Sequence, residues 1–129
     1  MTNVVSPDQI ASRLKEYWSP QVVGEVDDAF VKVAKIKGSL TWHSHENEDE
    51  LFYVLKGQMR IEMEHETVEL SRGEMFVVPK GVRHNPIADE ECHILLVEQK
   101  STRHTGDYVI PQTRSIDEQT AQRPDRPVE

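Results

Sequence analysis

Two histidines and four acidic residues fall within eight consecutive positions of TWHSHENEDELFYVLKG, residues 41–57. On a β-strand, side chains two positions apart share a face, so His43 and His45 can reach the same point. Imidazole is the commonest protein ligand for metals, but exposed histidines at this spacing also occur by chance. The pair therefore leaves two interpretations open, a metal site or a charged surface loop that leads into a strand.

Glu50 follows His45 by five residues and would face the opposite way on one unbroken strand. The intervening ENED consists of residues that strands disfavour, so we expect a bend that returns Glu50 to the side of the histidines. Asp49 is the alternative carboxylate, but Glu50 leads directly into the apolar alternation of the next strand. The other acidic residues of this loop are interpreted as a solvated bend.

A second stretch, GEMFVVPKGVRH, ends in a further histidine, His84. Pro79 and Gly81 predict a turn that fixes the direction of the chain at the end of a strand. His84 follows Gly81 by three residues. It can close a site begun by His43 and His45 if the two strands are neighbours.

These two stretches resemble the two sequence signatures of the cupin superfamily. The first reads G-SLTW-HSH-ENED-E-LFYVLK-G and the second G-EMFVV-P-K-G-VR-H, and the resemblance spans about residues 30–100. Two positions depart from the family pattern. Gly38 lies one residue closer to His43 than is usual, and Ala88 stands where the family has asparagine. Neither departure removes a ligand.

The resemblance implies an all-β fold, a small antiparallel jelly-roll β-barrel, with one divalent metal near one mouth. The implied ligands are His43, His45, Glu50 and His84. Three imidazoles and a carboxylate suit Mn, Fe, Co, Ni, Cu or Zn better than Ca or Mg. Four ligands leave open positions on the metal, as a catalytic metal requires. Since ligand imidazoles must be neutral, we predict metal loss as the pH falls through about 6.

The function that the resemblance implies is a mononuclear metalloenzyme that acts on a small molecule, of dioxygenase or isomerase type. The alternative is a non-catalytic module that binds a small ligand or a metal. A barrel with a relic site is disfavoured by the complete ligand set. The chain also resembles stand-alone bacterial cupins likened to mannose-6-phosphate isomerase, although it is too short for the further domains of the full enzyme.

The elements that position these residues follow a period of two from residue 21 onward. Apolar residues alternate in QVVGEV, AFVKVAKI, LFYVL, QMRIEME, TVEL, EMFVV and CHILLVE, and turn signals separate these segments. Before them, SPDQIASRLKEYWSP predicts one short helix that begins after Ser6 and ends before Pro20. We therefore expect a packed helix in residues 1–20, a barrel in 21–112 and a poorly ordered polar tail in 113–129.

The composition narrows the partners. The net charge of −8 and the lack of a basic run argue against nucleic acid and anionic membranes. No apolar stretch approaches the roughly 20 residues of a membrane helix, and no signal peptide is evident. A single cysteine, Cys92, excludes an internal disulfide, so we expect a cytoplasmic protein. We also expect a homodimer, formed through the exposed edge of QVVGEV and the N-terminal helix.

Four other residues have side chains that could react or bind a ligand, and we expect a smaller functional role for them. His93 is interpreted as a hydrogen-bonded barrel residue that could support the ligands from behind, and Cys92 as a buried, inert thiol. His65 lies in a predicted hairpin turn and should be exposed. His104 lies in a loop-like segment and has no clear role.

Overall fold

The computed structural model describes residues 3–126. This part of the chain forms seven strands and two short helices. Neither helix has the length and apolar character needed to cross a membrane. In chain order the elements are α1 Pro7–Arg13, β1 Gln21–Val26, β2 Ala29–Ser39, β3 Glu50–Lys56, β4 Gln58–Met63, β5 Thr67–Ser71, β6 Met75–Val78, β7 His84–Gln99 and α2 Ile116–Thr120.

All pairings between the named strands are antiparallel. Five strands follow the order β1-β2-β7-β3-β6, and β4 pairs with both β5 and β7. The 16-residue β7 closes the structure, because its start, at His84–Ile87, pairs with β4, while its later residues pair with β2 and β3. The all-β jelly-roll barrel predicted from the sequence is confirmed.

The core fills the space between the walls of the barrel. Alternation places Glu50, Phe52 and Val54 of β3 inside, as predicted, while Leu51 and Tyr53 are only partly covered. On a β-strand this period of two is what separates a buried face from a solvent-facing one. The main apolar cluster joins several strands and includes Ile36, Phe52, Val54, Ile61, Val78, Ile94 and Leu96.

The N-terminal helix is shorter than the sequence predicts. The Ser6 side chain accepts a hydrogen bond from the Gln9 N–H, as expected of an N-cap, but α1 ends at Arg13. The chain then leaves helical geometry because Trp18 bonds to β2. Its backbone N–H donates to the Lys35 carbonyl at 2.9 Å and its indole Nε1 donates to the Lys37 carbonyl at 2.9 Å.

The C-terminal residues carry more regular structure than their composition predicts. Within the segment expected to be a poorly ordered tail, Ser115 and Glu118 form a reciprocal capping box at the start of α2. Gln119 is buried, and α2 lies against β1. A short polar segment can thus be ordered by caps and a few buried contacts. Residues 127–129 of the expected tail lie outside the described part of the chain.

Candidate metal centre

Four side chains predicted as ligands meet inside the barrel. One ligand atom each from His43, His45, Glu50 and His84 lies within 4.8 Å of all the others. All four residues are buried, with at most 5 % of their surface exposed. As predicted, the chain bends between His45 and β3, and this bend returns Glu50 to the side of the histidines.

Backbone hydrogen bonds hold the ligand-bearing segments together. His43 and His84 face each other across a two-residue bridge: the His43 N–H donates to the His84 carbonyl at 3.0 Å, and the His84 N–H donates to the His43 carbonyl at 2.8 Å. The Gly81 N–H donates to the His45 carbonyl at 2.8 Å. The two sequence stretches are therefore joined at the site, as expected if they are neighbours.

Second hydrogen bonds orient two of the imidazoles. Nδ1 of His43 lies 2.8 Å from the Thr41 carbonyl, and Nδ1 of His84 lies 2.9 Å from the Val82 carbonyl. A carbonyl only accepts, so each Nδ1 donates and the Nε2 of each neutral ring keeps its lone pair. This is the arrangement in which metal-binding histidines are usually held.

The donor set fits a cation. Within the described chain, the buried Nε2 of His45 has no hydrogen-bond partner. Oxygen Oε1 of Glu50 lies 3.3 Å from Nε2 of His84 and 3.5 Å from Nε2 of His45. Three atoms that can offer lone pairs thus face one another in a dry interior. Leaving buried polar atoms without a partner is costly, and a divalent transition metal would satisfy them.

The environment favours the protonation states that metal binding needs. Burial, reinforced by the neighbouring His84, lowers the pKa of His43 to about 4. Burial alone would raise the pKa of Glu50, but its close contacts with Glu98, His45 and His84 hold it well below its usual range. His43 is therefore neutral and Glu50 anionic near neutral pH.

The sequence analysis missed a buried ion pair behind Glu50. Glu98 of β7 is the cross-strand partner of Glu50, and its Oε1 lies 2.6 Å from Nζ of Lys32, at an angle outside hydrogen-bond geometry. Lys32 and Glu98 are both buried. Burial and the charge of Glu50 raise the pKa of Glu98 well above its usual range. The sequence pattern contains a sign of this buried lysine. Lys32 lies on the same strand face as Ala34, and both residues face inward.

His104 also belongs to the site region, although no role could be predicted for it from the sequence. It lines a small internal cavity with His43, Glu50 and Glu98. The cavity offers about 30 Å³ to water centres. At roughly 10–15 Å³ for each water, it holds about two water molecules. Burial, with the nearby charge of Lys32, lowers the pKa of His104 to about 4.

The other reactive residues do not join the four. His93 is buried, and its Nε2 bonds to Glu91 at 2.9 Å, so it is a hydrogen-bonded barrel residue. Cys92 lies in the core, where burial raises the pKa of its thiol to about 12. His65 is exposed, as predicted. Asp49 accepts a hydrogen bond from the Lys80 N–H at 2.8 Å, which leaves Glu50 as the carboxylate of the cluster.

The fold and the buried cluster together define a small single-domain cupin. Residues 29–98 match the Cupin_2 family of cupin domains. The chain therefore belongs to the cupin family.

Three relatives show the range of proteins to which the chain is similar. It is 35 % identical over 92 residues to the uncharacterized protein YdbB of Bacillus subtilis, covering 70 % of this chain and 81 % of YdbB. A crystal structure of a cupin-2 domain protein from Shewanella frigidimarina has a TM-score of 0.73 and 38 % identity, with 75 % and 95 % of the two chains covered. The chain is also 30 % identical over 89 residues to 3-hydroxyanthranilate 3,4-dioxygenase 2 of Aspergillus fumigatus, covering 64 % of this chain but only 46 % of that enzyme.

Proposed function

We propose that this protein is a mononuclear metalloenzyme that acts on a small molecule, of dioxygenase or isomerase type. The observation that carries the proposal is the convergence of three imidazoles and one carboxylate, with the buried Nε2 of His45 lacking any partner in the described chain. Mn, Fe, Co, Ni, Cu and Zn all suit this ligand set. When bound, such a metal supplies Lewis-acid chemistry or a position for dioxygen.

The residues of the chain would prepare the site in defined ways. His43, His45, Glu50 and His84 would hold the metal, and the carbonyls of Thr41 and Val82 would keep two of the rings correctly oriented. Core residues such as Phe52 and Leu96 line the adjoining cavity and make its wall largely apolar. The low dielectric of such surroundings strengthens electrostatic interactions with a bound molecule.

The dioxygenase form of the proposal has one supporting relative. The 3-hydroxyanthranilate 3,4-dioxygenase of Aspergillus fumigatus matches 64 % of the chain. A non-catalytic metal-binding module is the second candidate, and the size of the cavity favours it. Room for about two water molecules accommodates a metal with its waters but not an organic substrate, unless the protein opens.

Elemental analysis tests the metal site directly. We expect near one transition-metal ion per chain in protein purified without added metal or chelator, and loss of that metal in His43→Ala and in His84→Ala. The matched control is His65→Ala, which removes an exposed histidine and should keep the metal. Metal that persists in both ligand variants, or a wild type without metal, contradicts the site.

A measurement of oxygen uptake tests whether the protein is a dioxygenase or a non-catalytic binding module. The wild type loaded with Fe²⁺ is mixed with 3-hydroxyanthranilate in an oxygen electrode, beside His84→Ala and His65→Ala. Uptake that His84→Ala abolishes and His65→Ala retains supports a dioxygenase. Bound metal without uptake rejects dioxygenation of this compound, and it leaves isomerase chemistry and the binding module to be separated by product analysis.

We also propose that the protein acts as a homodimer. β1 is an edge strand of the sheet, and its last residue, Val26, is an exposed apolar side chain. Edge strands are often paired or covered by a second copy. Light scattering at high concentration that returns the mass of one chain contradicts the dimer.

A further inference from the structure

A C-terminal segment from outside the barrel covers the candidate metal centre. We define the cover as residues 100–120, which follow β7 and lie beyond the family match at residues 29–98. Gly106 of the cover lies directly against a ligand. A Cβ atom at this position would come within 2.8 Å of the Ser44 carbonyl oxygen and 3.1 Å of Cβ of His43. Only a residue without a side chain can approach this closely.

The cover is attached differently from the strands. Within residues 103–120, the described backbone hydrogen bonds, such as Gly106 to Arg103 and Gln119 to Ser115, connect residues of the cover to one another. The contact that ties it to the barrel interior is a side-chain bond in which Nζ of Lys32 donates to Oε1 of Gln119 at 2.6 Å. Gln119 in turn donates from Nε2 to the Arg114 carbonyl at 2.9 Å.

Lys32 connects the cover to the site. Its fully buried ammonium lies 2.6 Å from Gln119 on the cover side and 2.6 Å from Glu98 on the cavity side. A buried ammonium needs its partners, because an unsatisfied charge in the interior is strongly unfavourable. The Lys32–Gln119 bond is therefore the latch that holds the cover closed.

The cover also contributes a side chain to the cavity. Nε2 of His104 accepts a hydrogen bond from the Arg114 N–H at 2.7 Å, so the neutral ring carries its proton on Nδ1. His104, with its proton on Nδ1, thus lies in the wall of the cavity and is supplied by a segment outside the family match.

The closed structure leaves no room for an organic ligand. The four candidate ligand residues are at most 5 % exposed, and the adjoining cavity holds about two water molecules. Some element must move before a small molecule reaches the cluster. The barrel strands are tied by continuous backbone pairing, whereas residues 103–120 make their described backbone hydrogen bonds with one another, so we take this segment to be the one that opens.

We propose that residues 100–120 form a latched cover that opens to admit a small organic molecule to the cavity and closes over it, with Lys32 and Gln119 as the latch and His104 as the contribution of the cover to the closed site. The ligand class is a small molecule with an oxygen atom that accepts a hydrogen bond from His104. That assignment of a ligand rests on the proposed function, whereas the opening of the cover does not.

Labelling of metal-free protein with diethyl pyrocarbonate tests the opening. The reagent is itself a small organic molecule that modifies accessible histidines, and exposed His65 serves as the internal reference. Relative to His65, we expect His43 and His45 to be modified about tenfold faster in Gln119→Ala than in the wild type, since the latch bond is lost. Gln122→Ala, the same change at an exposed position just beyond the cover, should label at the wild-type rate.

A further measurement decides between a latch and a general loss of stability. Hydrogen exchange should accelerate at residues 103–114 of Gln119→Ala while the amides of β2 and β7 keep their protection. Unchanged labelling in Gln119→Ala, or equal acceleration of exchange in the sheet, would each overturn the proposal. A wild type without metal defeats the proposed function and leaves this test intact.

Discussion

The barrel and its cover approach the same cluster but are held in place by different interactions. The barrel fixes His43 against His84, the first residue of β7, through two reciprocal backbone hydrogen bonds that form an isolated bridge. The cover reaches the same histidine with the backbone of Gly106, yet its described tie to the interior is the side-chain bond between Gln119 and Lys32. Backbone pairing gives ligands a fixed geometry, and side-chain attachment allows a segment to open while the sheet stays folded.

The largest expected effect is the loss of metal at low pH. It distinguishes a buried histidine of the barrel from one of the cover. Burial lowers the pKa of both His43 and His104 to about 4, but only His43 is a proposed ligand. A lowered pKa keeps the ring neutral at higher pH, and protons displace the metal as the pH falls toward that value. We expect full metal content at pH 7 and release as the pH falls toward about 4, below the pH of about 6 that an ordinary histidine pKa predicts.

Metal content after dialysis at each pH measures this release. His104→Gln, which removes the titratable ring of the cover, should leave the midpoint unchanged. Full metal content retained well below pH 4 would contradict the ligand assignment, and a shifted midpoint in His104→Gln would mean that the cover also holds the metal.

The next effect compares the same substitution in the barrel and in the cover. Ile94 is 2 % exposed in the core, whereas Ile116 of α2 is 40 % exposed. Ile94→Ala should lower the free energy of unfolding by about 2–5 kcal/mol, because it removes buried methyl groups and leaves a cavity. Ile116→Ala should cost less than about 1 kcal/mol. Chemical denaturation measures both, and equal losses would show that the cover shares the packing of the core.

A glycine pair tests how closely the cover approaches the ligands. Gly106 and Gly73 both have positive φ, of 64° and 84°, but an added Cβ at Gly73 would meet nothing within 4 Å. The Ala variants therefore share the backbone strain and differ in the steric clash. Gly106→Ala should lower the free energy of unfolding by about 1–3 kcal/mol more than Gly73→Ala. Indistinguishable denaturation curves for the two variants would argue against tight packing of the cover on His43.

The smallest effect concerns the surface attachment of the cover. Arg114 pairs with Glu16 at 3.0 Å, but the Glu16 side chain is 68 % exposed, and exposed ion pairs contribute little. Glu16→Gln should change the free energy of unfolding by less than about 0.5 kcal/mol and leave the diethyl pyrocarbonate labelling of His43 unchanged. Faster labelling in this variant would place the attachment of the cover at the surface instead of at Lys32.

Local patterns in the sequence were sufficient for much of the barrel and for the convergence of the cluster. Strands of period two, with Gly and Pro at the turns, predicted β1 to β7 in order, and spacing brought His43, His45 and Glu50 together. Strand alternation and the spacing of the ligands are both patterns of a few residues. Over that distance, alternation decides on which face of a strand a side chain lies. The end of α1 was misplaced, because the backbone bond between Trp18 and Lys35 joins residues far apart in the chain.

The all-β fold could be predicted from strand alternation, and the cupin family and the four residues that meet in the barrel from a recognisable pair of motifs. The position of Lys32 between Glu98 and Gln119, and the polar C-terminal segment over the cluster, became evident only in the folded structure. These contacts join residues 62 or more positions apart, such as the 87 that separate Lys32 from Gln119. No local pattern encodes such a pairing, because it depends on how the closed barrel brings distant segments together.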